Sequence, residues 1–217
     1  VIKQVSFPLL SQIQDNHEKL GSIFIRLIRM SSFIIFPVMV GLSLIAEPFV
    51  TVVLGEKWLP TIPLLQLLCF TKIFYPMSVL NLNVLNAMGR SDLFLKVDLS
   101  KAPLIIGTML ITVPLGVKAM VVGSVVASTL SFFINAYMPG ELFGIGPMKQ
   151  LKAMLPNAFC TGIMAIAVFL SFHYLQNNFL KLFLGVSIGA VAYLLAAYIL
   201  KIKELDELKL ILLKIRN

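Results

Sequence analysis

Charge is what this sequence has least of. Aspartate, glutamate, lysine and arginine make up 13% of its 217 residues, against 59% hydrophobic residues and a mean hydropathy of +0.94. A soluble domain of this length needs far more charge to cover its surface, so that class is excluded. Acidic residues are scarcer still, 10 against 18 basic ones. The resulting +8 does not signal nucleic acid, which requires basic residues gathered on one exposed face; here they fall in short clusters between apolar runs. Cysteine is nearly absent. Cys69 and Cys160 both stand in apolar runs, and such a pair supplies neither a disulfide framework nor metal-ligand spacing. No nucleophile triad, metal cluster or phosphate-binding loop can be assembled from the chain. No catalytic residue, metal or cofactor is therefore expected, and the protein is not read as an enzyme. The chain opens on Val1 without a signal-peptide pattern and reads as a piece of something longer.

What the chain does have is apolar runs of the length that crosses the roughly 30 Å hydrocarbon layer of a bilayer. Six spans are expected, at about 30–54, 59–88, 102–117, 119–139, 153–175 and 179–200. Residues 1–10 read as the end of a preceding span. The fold class is all-α, a polytopic transmembrane helix bundle occupying residues 1–200, with 201–217 as a cytoplasmic amphipathic tail. Connections after the first, third and fifth spans are short (GEKWLP, GVKAM, QNNF). Those after the second and fourth, GRSDLFLKVDLSK and PGELFGIGPMKQLKAM, are longer and more polar.

Successive spans alternate in direction, so the short turns share one side and the longer loops the other. Fourteen of the 18 basic residues lie on the longer-loop side with both chain ends; only Lys57, Lys118 and Lys181 lie in the short turns, and Lys72 lies within a span. The positive-inside rule then puts both ends in the cytoplasm. GEKW marks an outer turn, with Trp58 at headgroup level where indoles prefer to sit. At the N-terminal side Asp15 and Glu18 are spaced as a capping box. In the tail Ile202, Leu205, Leu208, Leu212 and Ile215 share one helical face. That face suits either an interfacial helix on an anionic leaflet or packing against the inner ends of the spans. Pro37, Pro48, Pro63, Pro76, Pro103 and Pro114 fall within or beside spans, where bends are tolerated if neighbours satisfy the freed backbone groups.

Three stretches in order, FPLLSQIQDNHEKL, LIAEPFVTVVLGEKWLPTIPLLQLL and LNAMGRSDLFLKVDLSK, carry a family likeness. The chain resembles the C-terminal half of the Wzx-type polysaccharide flippases of the MOP superfamily, in the colanic acid and teichuronic acid exporter branch. The likeness runs from residue 1 to about 145. The turn GVKAMVVG departs from it, because Ala119 and Met120 stand where a small residue, commonly glycine, is usual. The resemblance implies one lobe of a MATE-like two-lobed transporter, with the N-terminal lobe of the same polypeptide as its partner. It further implies alternating access about a central cavity in the bacterial cytoplasmic (inner) membrane. The implied cargo is an oligosaccharide linked to polyprenyl pyrophosphate. The alternative within transport is a MATE-like multidrug or metabolite antiporter, which would favour an acidic cavity.

Ionisable groups inside a bilayer are costly, which makes Glu47 and Lys72 the first candidate site residues. Counted from the outer turn at about 1.5 Å per residue, they lie roughly 13 Å and 20 Å deep on successive helices, within reach of one another along a lysine stem. They are read either as a structural ion pair or as a pair in which Lys72 also attracts an anionic cargo. Asn81, Asn83 and Asn86 follow on the same span, as interhelical hydrogen-bonding groups or as a wall for sugar hydroxyls. Arg26, Arg29, Arg90, Lys96 and Lys101 ring the inner mouth as topology residues, of which Arg90 and Lys101 are candidates to meet the pyrophosphate. His173 sits near an outer boundary, either solvated or titrating in the physiological range. The topology is directly testable. Cysteines placed at 57 and 90, in a background lacking Cys69 and Cys160, are expected to react with an impermeant thiol reagent in intact cells at 57 and not at 90. The reverse pattern would invert the assignment.

Overall fold

A computed structural model describes residues 17–208, and among these every regular element is helical. The physical reason is that hydrocarbon offers no water to backbone amides; a helix satisfies them within itself and an open strand does not. The principal helices are α1 (His17–Leu44), α2 (Ala46–Phe49), α3 (Ile62–Ile73), α4 (Tyr75–Ala87), α5 (Ser91–Thr112), α6 (Val117–Phe143), α7 (Pro147–Tyr174) and α8 (Asn178–Ile199). Five stretches are long and apolar enough to cross a membrane: Glu18–Leu44, Glu56–Ala87, Val117–Phe143, Pro147–Tyr174 and Asn178–Ile199. The chain is an all-α, multi-pass membrane protein, as its composition predicts.

Both expected polar loops are corrected. Residues 91–101, read as a loop from their charges, form the first turns of α5. That helix carries Asp92, Lys96, Asp98 and Lys101 at one end, and it is not among the five apolar stretches. At about 1.5 Å per residue its 22 residues extend roughly 33 Å, of which the apolar half from Ala102 onward makes up roughly 17 Å. The second loop shrinks to three residues, Gly144–Gly146, because α6 runs on through Pro139 to Phe143. Gly144 takes the left-handed conformation (φ 70°), its N–H donates to Gly140 O at 2.9 Å, and Pro147 starts α7. This is the glycine-out, proline-in punctuation of helix ends.

The long stretch Glu56–Ala87 is broken at Phe74. Pro76 has no N–H to give the carbonyl four residues earlier, so the ladder stops and restarts with Ser78 N–H donating to Phe74 O at 3.0 Å. The GEKW turn opens on Gly55 at φ 87°, reached from a π-helical turn (Val50–Leu54) and followed by a 3₁₀ segment (Glu56–Thr61) that leaves Trp58 exposed.

The chain divides into two compact units. Among the described residues, one comprises 17–31 together with Phe70–Met154, and the other comprises Ser32–Cys69 and 155–208. In the first, Leu20, Phe24 and Ile28 recur every fourth residue on α1 and are wholly buried. Phe24 meets Phe143 edge-on at 5.5 Å, and Phe74 stacks on Phe132 at 4.9 Å. In the second, Phe33, Cys160, Met164, Tyr193, Ala196, Ala197 and Ile202 form the core. Tyr193 anchors it by donating its hydroxyl to Phe33 O at 2.7 Å, and Asn157 donates to Ser32 Oγ at 2.8 Å.

The tail question is answered for the residues described. Ile202 belongs to this core, and Leu205 and Leu208 pack against it, so this part of the tail's apolar face covers protein. Leu212, Ile215 and Asp15 of the expected capping box lie outside the described residues.

Helix α8 reaches α7 through two glycines four residues apart. A Cβ on Gly185 would stand 2.9 Å from the Phe172 ring and 3.2 Å from Ile45, and one on Gly189 would stand 3.3 Å from Val168. Small residues four apart let membrane helices approach closely, where packing rather than hydrophobic exclusion holds them. Gly185→Leu is therefore expected to overpack the α7–α8 contact and destabilise the protein by about 1–3 kcal/mol. Gly162→Leu, at a site with open space around it, should leave the thermal unfolding temperature in detergent unchanged. Equal effects of the two substitutions would refute the close packing.

Candidate functional site: a hydroxyl-lined cavity in the first unit

Helices α4, α5 and α6 line an open-sided cavity of about 600 Å³ within the first unit. Its walls follow from helical periodicity. On α6, Ser124, Ser128, Ser131 and Asn135 are spaced by four, three and four residues and fall on one face of an otherwise apolar helix. On α5, Asp98, Lys101, Ile105, Thr108 and Thr112 do the same. Tyr75 and Ser78 close the third side from α4. Gly123 sets the spacing of α5 and α6, since a Cβ there would stand 2.7 Å from Thr112 Cγ2.

Four of the hydroxyls are already committed as donors. Ser124 donates to Val121 O at 2.7 Å, Ser128 to Thr71 O at 2.7 Å, Thr108 to Leu104 O at 2.8 Å and Thr112 to Thr108 O at 2.7 Å. A hydroxyl has one proton and two lone pairs. These four side chains can therefore turn only acceptor lone pairs towards a guest. Lys101 is buried to 8% exposure, and its Nζ lies 2.8 Å from Asp98 Oδ1, so its charge is met within the protein. Asn135 is 2% exposed and lines the cavity, yet its Oδ1 accepts no hydrogen bond.

The five residues singled out from sequence are distributed unevenly. Lys101 alone lines the cavity. Lys72 is exposed on α3, with its Nζ 5.1 Å from the centroid of the Tyr75 ring, a cation–π contact beside the cavity wall. Glu47 is exposed on α2 in the other unit. Arg90 is exposed at the start of α5 and donates from Nε and Nη2 to the two carboxylate oxygens of Asp92, both at 3.1 Å. Those bonds hold the Asp92 carboxyl below the usual carboxylate range. Among the other sequence candidates, Asn83 is buried and Asn86 partly so, while His173 is exposed beside Tyr174. The polar stripe of α6 is not among the residues singled out from sequence; its helical spacing was the available signal.

Asn81 is wholly buried and engaged with Gln150. Its Nδ2 donates to Gln150 Oε1 at 3.0 Å and to Met77 O at 2.9 Å. Gln150 Nε2 returns a bond to Asn81 Oδ1 at 2.8 Å and gives its second to Ile145 O at 3.0 Å. Two buried amides thus answer one another, tying α4 to α7 and to the α6–α7 turn.

The fold defines a multi-pass helical membrane protein whose first unit has a mostly apolar pocket crossed by a stripe of polar side chains. The family described as polysaccharide biosynthesis protein matches residues 1–63. Along 212 residues, 96% of this chain and 44% of the relative, the chain is 28% identical to an uncharacterized membrane protein in the cps region of Klebsiella pneumoniae. It is 27% identical over 200 residues to the teichuronic acid biosynthesis protein TuaB of Bacillus subtilis (strain 168), covering 89% of this chain and 41% of that protein. It is 36% identical over 111 residues to the lipopolysaccharide biosynthesis protein WzxC of Escherichia coli (strain K12), covering 51% of this chain and 23% of that protein. No solved structure matches. These findings bear out the resemblance to Wzx-type polysaccharide exporters, and the chain spans less than half the length of the relatives it matches.

The amide pair makes a clear prediction. Asn81→Leu strands the Gln150 amide in the interior, at a cost of about 1–3 kcal/mol. Adding Gln150→Leu should restore much of the lost thermal stability. A double variant whose loss is the sum of the two single losses would show that the amides do not act as a unit.

Proposed function

We propose that this chain is the C-terminal lobe of a flippase that moves a polyprenyl-pyrophosphate-linked oligosaccharide from the inner to the outer leaflet of the bacterial cytoplasmic membrane. The product would feed cell-surface polysaccharide synthesis. The observation that carries the reading is the likeness, along 89% of the chain, to a teichuronic acid biosynthesis protein, in a chain that is itself a polytopic helix bundle. The lobe works against an N-terminal lobe of the same polypeptide by alternating access, with both ends of the chain in the cytoplasm, as the basic residues argue. It translocates its cargo without making or breaking covalent bonds. An antiporter for cationic drugs would be better served by a cavity with surplus negative charge, whereas the one charged pair on this cavity wall, Lys101–Asp98, is neutral overall.

Lys72 and Glu47 are proposed to couple during the transport cycle, with Lys72 adding positive potential near the cavity for the anionic headgroup. The test uses the full-length polypeptide in a strain deleted for it. Deletion should abolish surface polysaccharide and leave lipid-linked oligosaccharide in the inner leaflet. Unchanged surface polysaccharide, with lost efflux of a cationic dye, would overturn the flippase in favour of the antiporter. Complementation with Lys72→Met/Glu47→Gln should yield normal protein levels but reduced export. Full export by that stable double variant would remove Lys72 from the substrate path.

A further inference from the structure

We propose that α1 carries a hinge at Phe33–Pro37 and that Tyr193, on α8, is the latch that holds it closed. Pro37 lies inside α1 and has no N–H. The carbonyl four residues earlier, that of Phe33, therefore loses its ladder donor and is crowded by the proline ring. In hydrocarbon such a carbonyl needs a donor from elsewhere in the protein. Tyr193 supplies one: its hydroxyl donates to Phe33 O at 2.7 Å, and the two rings lie 5.2 Å apart between centroids. One residue earlier, Ser32 Oγ receives the Asn157 amide at 2.8 Å. Side chains from α7 and α8 thus hold α1 at the turn where its own backbone bonding is interrupted.

A proline inside a helix bends it without making it a moving part. The division of the chain into compact units marks the same turn independently. The chain passes from one unit to the other between Ser31 and Ser32 on α1, between Cys69 and Phe70 on α3, and between Met154 and Leu155 on α7. Each passage lies within about two helical turns of a proline that interrupts a ladder: Pro37, Pro76 and Pro156 respectively. Near the Pro76 break a hydroxyl from another helix again bonds to a carbonyl, Ser128 Oγ to Thr71 O at 2.7 Å. A latch must also open. Tyr193 holds Phe33 O by a neutral hydrogen bond, and breaking it strands no charge. The hinge itself does not depend on what the protein carries. Under the flippase reading, it lets the two parts of α1 turn relative to one another during alternating access.

The deciding experiment uses the full-length polypeptide in nanodiscs, in a background lacking Cys69 and Cys160. Spin labels stand at positions 22 and 53, both exposed and on either side of the hinge, and pulsed electron paramagnetic resonance reads their separation. The wild type should show two components. Tyr193→Phe should raise the weaker one about fivefold, the worth of one net hydrogen bond, and Pro37→Ala should leave a single narrow maximum. Thermal unfolding separates the latch from plain packing. Tyr193→Phe leaves Phe33 O without its donor and should lower the unfolding temperature; adding Pro37→Ala returns an N–H to that carbonyl and should restore it. That stable double variant, with α1 continuous, should lose most surface polysaccharide in the deletion strain. One narrow distribution shared by wild type and Pro37→Ala would overturn the hinge. An unmoved distribution in Tyr193→Phe, or no recovery of stability in the double variant, would overturn the latch. Full export by the double variant would remove the hinge from transport. A wild-type polypeptide that restores no surface polysaccharide sinks the flippase reading instead, and the label distances still decide the hinge.

Discussion

Hydrocarbon supplies no hydrogen-bonding partner, so every polar group that this chain carries into the membrane has to be answered by another part of the protein. The backbone answers itself by being helical throughout the described residues. Side chains are answered in three ways. Serines and threonines bond back to carbonyls one turn earlier, as in Thr112 to Thr108 and Thr161 to Asn157. Amides and hydroxyls pair across helices, as in Asn81 with Gln150 and Tyr193 with the Phe33 carbonyl. Charges neutralise each other at short range, as Lys101 and Asp98 do. Two buried amide oxygens, that of Asn135 among them, stand outside this pattern among the described residues.

With hydrophobic contrast between helices and lipid nearly absent, fine geometry has to come from elsewhere. Glycine and proline provide it. Gly55, Gly89, Gly116 and Gly144 take positive φ at the ends of helical segments. Pro76 interrupts what would otherwise be one continuous helix from Ile62 to Ala87. Gly123, Gly185 and Gly189 allow contacts that any side chain would block. The core of the second unit then continues past α8 into the tail through Ile202, so the end of the described chain is held by the same packing as the helices.

Of the basic residues described, Lys101 lines the cavity of the first unit and Lys72 stands beside it over Tyr75. Half of the 18 basic residues lie outside the five apolar stretches, and most of the rest stand near the stretches' ends. The cavity contains a compensated pair and a row of acceptors. Reading function from charge alone directs attention to Lys72, Glu47 and Arg90. The cavity wall carries instead the Lys101–Asp98 pair and a mostly apolar surface with several hydroxyls, four of them donating to backbone carbonyls.

Class and general layout were legible from the sequence because hydropathy over twenty residues reflects a large transfer free energy that little else can override. The family likeness was legible because three separated stretches kept their order. Loop boundaries were not. Asp92, Lys96, Asp98 and Lys101 look like a surface loop when counted as charges, yet they sit on α5 without breaking it, because helix formation depends on backbone and capping more than on charge. The candidate site was legible only in part. Lys101 was named from the sequence; its capture by Asp98 needed the turn of a helix to bring the two to 2.8 Å. Asn81 was named too, but its partner lies 69 residues away in the chain, a pairing that local pattern does not encode. The cavity depends on three helices meeting, with Gly123 admitting Thr112. Solvation energy is a property of the segment and can be read along the chain; hydrogen-bond partnership and enclosed space are properties of segments brought together, and tertiary packing alone decides them.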